Sequence, residues 1–234
     1  GRTLGEEIEL AKVTKVRKVI RISSDPIFPV GGLAVLRGNL APRGAVIKHS
    51  AASPDLLKHR GRAVVFSSLE DLALRIDSPD LDINADDILV LQNAGPKGAP
   101  GMPEAGYLPI PKKLAQAGVK DMVRISDARM SGTAFGTIVL HITPESAENG
   151  PLAIVRNGDM IVLDVSQRLL QLELDDEEIQ KRIAALAPPA ERLAIPESGY
   201  RRLYQTTVTQ ADIGCDFDFM VPSMTGTAPI LKGL

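Results

Sequence analysis

The run GLAVLRGNLAPRGAVIKHSA, residues 32–51, holds two short β-rich segments, and glycine and proline break the chain between them. The same pattern continues on both sides, with KVIRI at 18–22 and RAVVF at 62–66. Short apolar or β-branched runs punctuated by Gly and Pro are the signature of successive strands. Further strands are expected at DDILVLQNA (86–94), DMVRISDA (121–128), GTIVLHIT (136–143) and LLQLEL (169–174). LAIVRNGDMIVLDV, residues 152–165, reads as a hairpin whose Asn157-Gly158 turn supplies positive backbone angles. Helical signals are fewer. GRTLGEEIELAKV opens on a helical turn, and SSLEDLALRID (67–77) carries Ser67 or Ser68 as N-cap. PIPKKLAQAG (109–118) has proline near its start and Gly118 at its stop. DDEEIQKRIAALAPP (175–189) is the clearest helix, with Asp175 to cap it and Ile179, Ile183 and Leu186 along one face. GYRRLYQTTVTQA (199–211) reads as the last. Many short strands with few intervening helices predict a β-rich α/β fold, a β-barrel-like core flanked by helices, rather than a regularly alternating sheet.

The 234 residues suffice for one substantial core, and 44% hydrophobic with 24% charged residues is the composition of a globular chain. A net charge of −2 without a dense Lys/Arg run predicts no nucleic-acid partner. No apolar run reaches the roughly 18–20 residues of a membrane helix, so no membrane partner is expected. The single cysteine, Cys215, has no partner in the chain for a disulfide, which fits a reducing, cytoplasmic location. The opening run lacks a methionine and reads as the inside of a longer protein.

Three segments are too constrained for simple connectors. GPKGAPGMPE, residues 95–104, packs three glycines and three prolines into ten residues and ends on Glu104. Prolines stiffen this chain while glycines allow it unusual angles. SDARMSGTAFG, residues 126–136, alternates Asp127, Arg129, Ser131 and Thr133, which on a strand would share one face. The third is GNLAPRGAVIK, residues 38–48. No G-x-S-x-G elbow, P-loop or C-x-x-C is present, and His49, His59 and His141 lack metal-ligand spacing. His141, inside TIVLHIT, reads as a strand histidine, and Lys97 as a surface or carboxylate-pairing lysine.

GGLAVLRGNLAPRGAVIK (31–48), VLQNAGPKGAPGMPE (90–104), DARMSG (127–132) and GPLAIVRNGDMIVLDV (150–165) together resemble, in order, the C-terminal half of the dihydroxy-acid dehydratase / 6-phosphogluconate dehydratase family. ISDARMSGTAFGTIVLHITPESAENGPLAIV and GYRRLYQTTVTQADIGCDFDF are closer to its sugar-acid members, of arabinonate or xylonate type, than to branched-chain enzymes with a DGRFSG-like motif.

The resemblance implies one C-terminal domain over residues 1–234, with a swivelling β/β/α type of barrel, belonging to a larger hydro-lyase whose cluster-binding N-terminal domain lies outside this chain. It implies dehydration of a 2,3-dihydroxy sugar acid to a 2-keto-3-deoxy acid. By the same resemblance Ser131 takes the C2 proton, Thr133 binds substrate and Glu104 is a Mg²⁺ ligand. An iron–sulfur cluster is also implied, 2Fe–2S by preference with 4Fe–4S the alternative, its ligands in the N-terminal half. Implied partners are that N-terminal domain, a small-molecule sugar acid and further copies in a homodimer or homotetramer. The isolated chain would be inactive. The alternatives are a branched-chain dihydroxy-acid dehydratase and an inert barrel that serves assembly alone.

Overall fold

The computed structural model describes residues 1–11, 20–100, 108–129, 131 and 135–220. Residues 1–32 form one unit and the chain from Leu33 onward another. In the first, helix α1 (Leu4–Leu10) is closed by a capping box: the Thr3 hydroxyl accepts from the Glu6 N–H, and the Glu6 carboxylate accepts from the Thr3 N–H. Residues 20–22 of the expected KVIRI strand carry no strand.

The second unit is a closed barrel of eight strands: β1 (Ala34–Gly38), β2 (Ala41–Ile47), β3 (Lys58–Phe66), β4 (Ile88–Leu91), β5 (Arg124–Ser126), β6 (Ile138–Thr143), β7 (Met160–Asp164) and β8 (Leu169–Leu172). Around the barrel they run β1-β2-β6-β5-β4-β3-β7-β8, and β8 meets β1 to close it. The β3-β4, β4-β5 and β5-β6 pairs are parallel, with Val65 beside Val90 and Val90 beside Ile125. The β1-β2, β2-β6, β3-β7 and β7-β8 pairs are antiparallel. Closure leaves no unpaired sheet edge.

The two kinds of strand differ in burial for a physical reason. Parallel strands are covered on both faces and read as unbroken apolar runs. The four residues of β4, ILVL, are all buried: Ile88 and Val90 face the barrel interior with Val65, Ile125, Val139 and Leu163, while Leu89 and Leu91 join an outer cluster with Val64, Phe66 and Met122. Helix α2 (Leu69–Arg75), capped by Ser68, contributes Leu72 to that outer cluster, and Leu114 of α3 (Lys112–Gln116) packs against it. The antiparallel β7 and β8 instead alternate half-buried and buried residues, as one-sided strands do. Helix α4 (Asp176–Ala184), capped by Asp175, inserts Ile179 into the interior cluster, and Ile183 and Leu186 pack beside it. The short α5 (Pro189–Arg192) and then α6 (Gly199–Thr207) follow.

Residues 152–165 do not form the expected hairpin. Pro151–Ile154 is a 3₁₀ turn, and only β7 is a strand, paired with β3 and β8. Asn157 and Gly158 do turn the chain, and the Asn157 side-chain oxygen accepts the Val65 N–H at 2.6 Å. The turn keeps a local bond, from the Asp159 N–H to the Arg156 carbonyl at 3.1 Å, and adds this long-range partner.

Candidate active site

Four parallel strands have their carboxyl ends at one rim of the barrel: β3 at Phe66, β4 at Leu91, β5 at Ser126 and β6 at Thr143. The segment beginning Gln92-Asn93 leaves β4 there, the Asp127–Ser131 segment leaves β5, and Pro144-Glu145 leaves β6. Loops at the carboxyl ends of parallel strands are where such sheets build their sites. Two of the three constrained segments therefore start from neighbouring strands. The third, residues 38–48, is β2 with its entry from β1.

The shared face expected of alternating Asp127, Arg129 and Ser131 is not realised among the described residues. β5 stops at Ser126, Asp127 is 1% exposed, Arg129 is exposed and Ser131 is half-buried. Asp127 is a fastener. Its Oδ1 accepts the Ala94 N–H at 2.9 Å and its Oδ2 the Ser146 N–H at 2.8 Å, so one carboxylate ties the exits of β4, β5 and β6 together. Burial pushes its pKa up, and those backbone donors oppose the rise.

The far end of the same segment is fastened separately. Asp121 accepts from the Thr137 N–H, the Thr137 hydroxyl and the Ser53 N–H. These bonds hold its pKa low against the opposing effect of burial. Arg124 pairs with Asp121 at 3.0 Å and donates to the Phe135 carbonyl. Gly136, at φ +118°, lies so close to the Arg124 guanidinium that a Cβ there would overlap it. Ser131 thus lies in sequence between two fastened points, Asp127 and Gly136-Thr137.

A second buried carboxylate secures the glycine- and proline-rich segment. Glu145, 1% exposed, accepts from the Lys97 N–H at 3.0 Å and the Gly98 N–H at 3.0 Å through Oε2. Its Oε1 accepts from Gln210 Nε2 at 2.5 Å, and the Gln210 side-chain oxygen in turn accepts the Glu145 N–H at 2.9 Å. Burial raises the Glu145 pKa to about 7, helped by the charge of Asp127 and opposed by the donors of Gly98, Gln210 and Lys97. Gly95 is required by contact rather than by backbone angle, because a Cβ would stand 2.6 Å from Glu145 Oε2. The Lys97 ammonium pairs with Glu148 at 2.6 Å, the carboxylate-pairing role expected of it.

Glu104 and Thr133 lie outside the described residues. Among the described residues, no group of three His, Cys, Asp or Glu side chains is disposed to hold a metal ion. His141 is the strand histidine expected. It sits in β6 at φ +55°, donates its N–H to the Ala128 carbonyl at 3.0 Å, and marks a register shift against β2. Burial and the nearby Arg129 charge lower its pKa. Cys215 is half-buried, and its thiol is pushed up by burial and by the charges of Glu145 and Asp212. That is the reverse of what a thiolate ligand needs. Sequence reasoning missed Glu145 and Gln210 altogether. For Glu145 a signal existed, a carboxylate in TPES just past an apolar strand; Gln210 offered none.

Comparison with known proteins identifies the family. Residues 18–215 match the domain described as dihydroxy-acid/6-phosphogluconate dehydratase C-terminal. The chain is 53% identical over 215 residues to an L-arabonate dehydratase of Azospirillum brasilense, covering 91% of this chain and 37% of that protein. It is 51% identical over 205 residues to a 6-deoxy-6-sulfo-D-gluconate dehydratase of Pseudomonas putida, covering 86% and 35%. A dihydroxy-acid dehydratase of Acetivibrio thermocellus is 43% identical over 215 residues, covering 92% and 37%. The chain thus spans a little over a third of the length of these relatives. With its barrel, its motifs and these matches, the chain belongs to the dihydroxy-acid/6-phosphogluconate dehydratase family, to whose C-terminal domain it corresponds.

Proposed function

We propose that this chain is the C-terminal domain of a sugar-acid dehydratase that converts a 2,3-dihydroxy carboxylate to a 2-keto-3-deoxy acid, in a site shared with an N-terminal domain. The observation that carries the reading is the rim: the segments bearing Ser131 and Glu104 leave adjacent parallel strands, and Asp127 binds both exits. The higher identity to sugar-acid relatives than to a dihydroxy-acid dehydratase, 53% against 43%, favours a sugar acid over a branched-chain dihydroxy acid.

In this reading Ser131 accepts the C2 proton of the substrate, and Thr133 donates a hydrogen bond to a substrate oxygen. A serine hydroxyl is too weak an acid to act as a base near neutrality by itself, so it must work beside fixed positive charge. Glu104 supplies a hard oxygen donor, the kind Mg²⁺ prefers, on a segment whose origin Glu145 fixes, and the other ligands would come from the N-terminal domain. Bound there, the cation would supply the charge that acidifies a nearby hydroxyl. An iron–sulfur cluster does not fit this chain, whose one cysteine has a raised thiol pKa. The chain's own work is to place Ser131 against the C2–H and to keep that placement through the Asp127 and Asp121 fastenings.

Ser131→Ala in the full-length protein tests the assignment. Dehydration of a pentonate, followed as keto-acid release, should fall by at least about a hundredfold, the scale of losing a general base, with fold and metal content unchanged. Near-normal turnover would overturn it.

A further inference from the structure

Glu145 has no part in the proton transfer proposed above, yet it is one of the most heavily bonded side chains in the molecule. Its carboxylate lies at the meeting of three pieces of chain remote in sequence: the exit of β6, residues 95–98, and the stretch after α6. The chain around it is tightly packed. Gly95 lacks a Cβ where Oε2 sits, and Gly98 packs so tightly on Asn93 that a Cβ would stand 2.8 Å from the Asn93 carbonyl. Gln210, 9% exposed, meets Glu145 twice, giving its amide to the carboxylate and taking the backbone N–H. Gln205, 3% exposed, reaches the same segment from α6 by donating to the Lys97 carbonyl at 3.3 Å.

We infer that Glu145, held by Gln210, is a positioning residue that fixes the Lys97 and Gly98 peptide units and through them the origin of the segment leading to Glu104. A chain that enters a proline-rich run from two immobilised peptide units has few directions left to it, and a ligand at its end loses little entropy on use. The inference rests on the proposed function only where it connects this anchorage to turnover; the anchorage itself is a property of the chain.

The donor–acceptor pattern gives a specific test. In Glu145→Gln, the new carboxamide can face Lys97 and Gly98 with its oxygen, but its NH₂ then meets the NH₂ of Gln210. Turning Gln210 over sets that NH₂ against the residue 145 N–H, so one donor–donor clash persists either way. Gln210→Glu sets two carboxylates face to face. The double change Glu145→Gln with Gln210→Glu restores the Lys97, Gly98 and residue 210 bonds, with the carboxamide oxygen on the two N–H groups and its NH₂ on the new carboxylate; only the second, 3.1 Å contact of the Lys97 N–H with Oε1 is not regained.

Amide hydrogen exchange at Lys97 and Gly98, measured on the chain above pH 7, should quicken about tenfold or more in each single variant and return toward wild type in the double. In the full-length dehydratase the same series should show kcat reduced about tenfold or more in the singles, with KM for the sugar acid little changed, and recovery in the double. Unchanged exchange in Glu145→Gln overturns the anchorage. Faster exchange with unchanged kcat overturns the positioning role and leaves the dehydratase assignment standing. A wild-type protein without dehydratase activity refutes the proposed function instead, and the exchange series still decides the anchorage. If both single variants fail to fold, the double must fold with wild-type exchange, and its failure overturns the inference.

Discussion

Asp127→Ala separates two accounts of the DARMSG segment. If Asp127 sat on a solvated strand face, its removal would change stability by no more than about 0.5 kcal/mol, the ordinary surface range. The structure makes it a buried acceptor of two backbone N–H groups, at 2.9 Å from Ala94 and 2.8 Å from Ser146. A hydrogen bond to a charged group is worth roughly 1.5–3 kcal/mol net, so two lost bonds remove about 3–6 kcal/mol. Part of this is offset, because the carboxylate is itself held at a desolvation cost, visible in its raised pKa. The expected net loss is about 3 kcal/mol. Asp127→Asn keeps one acceptor but turns an NH₂ toward the other N–H, so it should lose about 2 kcal/mol. Urea unfolding of the chain with unchanged slope gives the stability, and amide exchange at Ala94 and Ser146 gives the location. A shift within about 0.5 kcal/mol, or undisturbed protection at those two amides, would refute the reasoning.

Other consequences follow from the same rim. Gly95→Ala should destabilise by about 1–3 kcal/mol, because the new methyl meets a Glu145 side chain that its donors keep from moving aside; a change below about 0.5 kcal/mol in urea unfolding would contradict this. Glu145 also gives a pH signature. Its folded pKa, about 7, lies above the ordinary 4.5, so between those values the folded state keeps a proton that the unfolded state has lost. The stabilisation is full below about pH 4.5, declines as pH rises and is gone above about pH 7, a span on the order of 3 kcal/mol. Subtracting the stability of Glu145→Gln from that of wild type at each pH isolates this group, and a flat difference curve would contradict it.

The barrel was legible in the sequence because its strands carry their own signals. ILVL at 88–91 is apolar throughout because α2 and α3 cover its outer face, and MIVL at 160–163 is an equally plain apolar run although Met160 and Val162 are only half-buried. The Asp175 cap and the Ile179 face of α4 are local features and were read correctly. What failed depended on distant partners. Residues 152–155 have the composition of a strand, yet Pro151–Ile154 is a 3₁₀ turn, and the Leu152 carbonyl in it and the Val155 carbonyl just after it accept from the Gln92 amide. Asp127 and Arg129 alternate on paper, but the backbone leaves the sheet at Ser126 because Asp127 is drawn inward by N–H groups at Ala94 and Ser146. No window of sequence shows such a bond. The closing contact of β8 with β1, and the inward turn of Glu145 and Gln210, escaped notice for the same reason.

The most direct test of the whole account is a crystal structure of the full-length protein with magnesium and a non-reacting pentonate analogue. The account predicts the Ser131 hydroxyl within hydrogen-bonding reach of the analogue's C2 position, about 2.6–3.2 Å, and the Glu104 carboxylate on the metal in the same cavity. Ser131 and Glu104 on separate faces, with the analogue bound to neither, would contradict it.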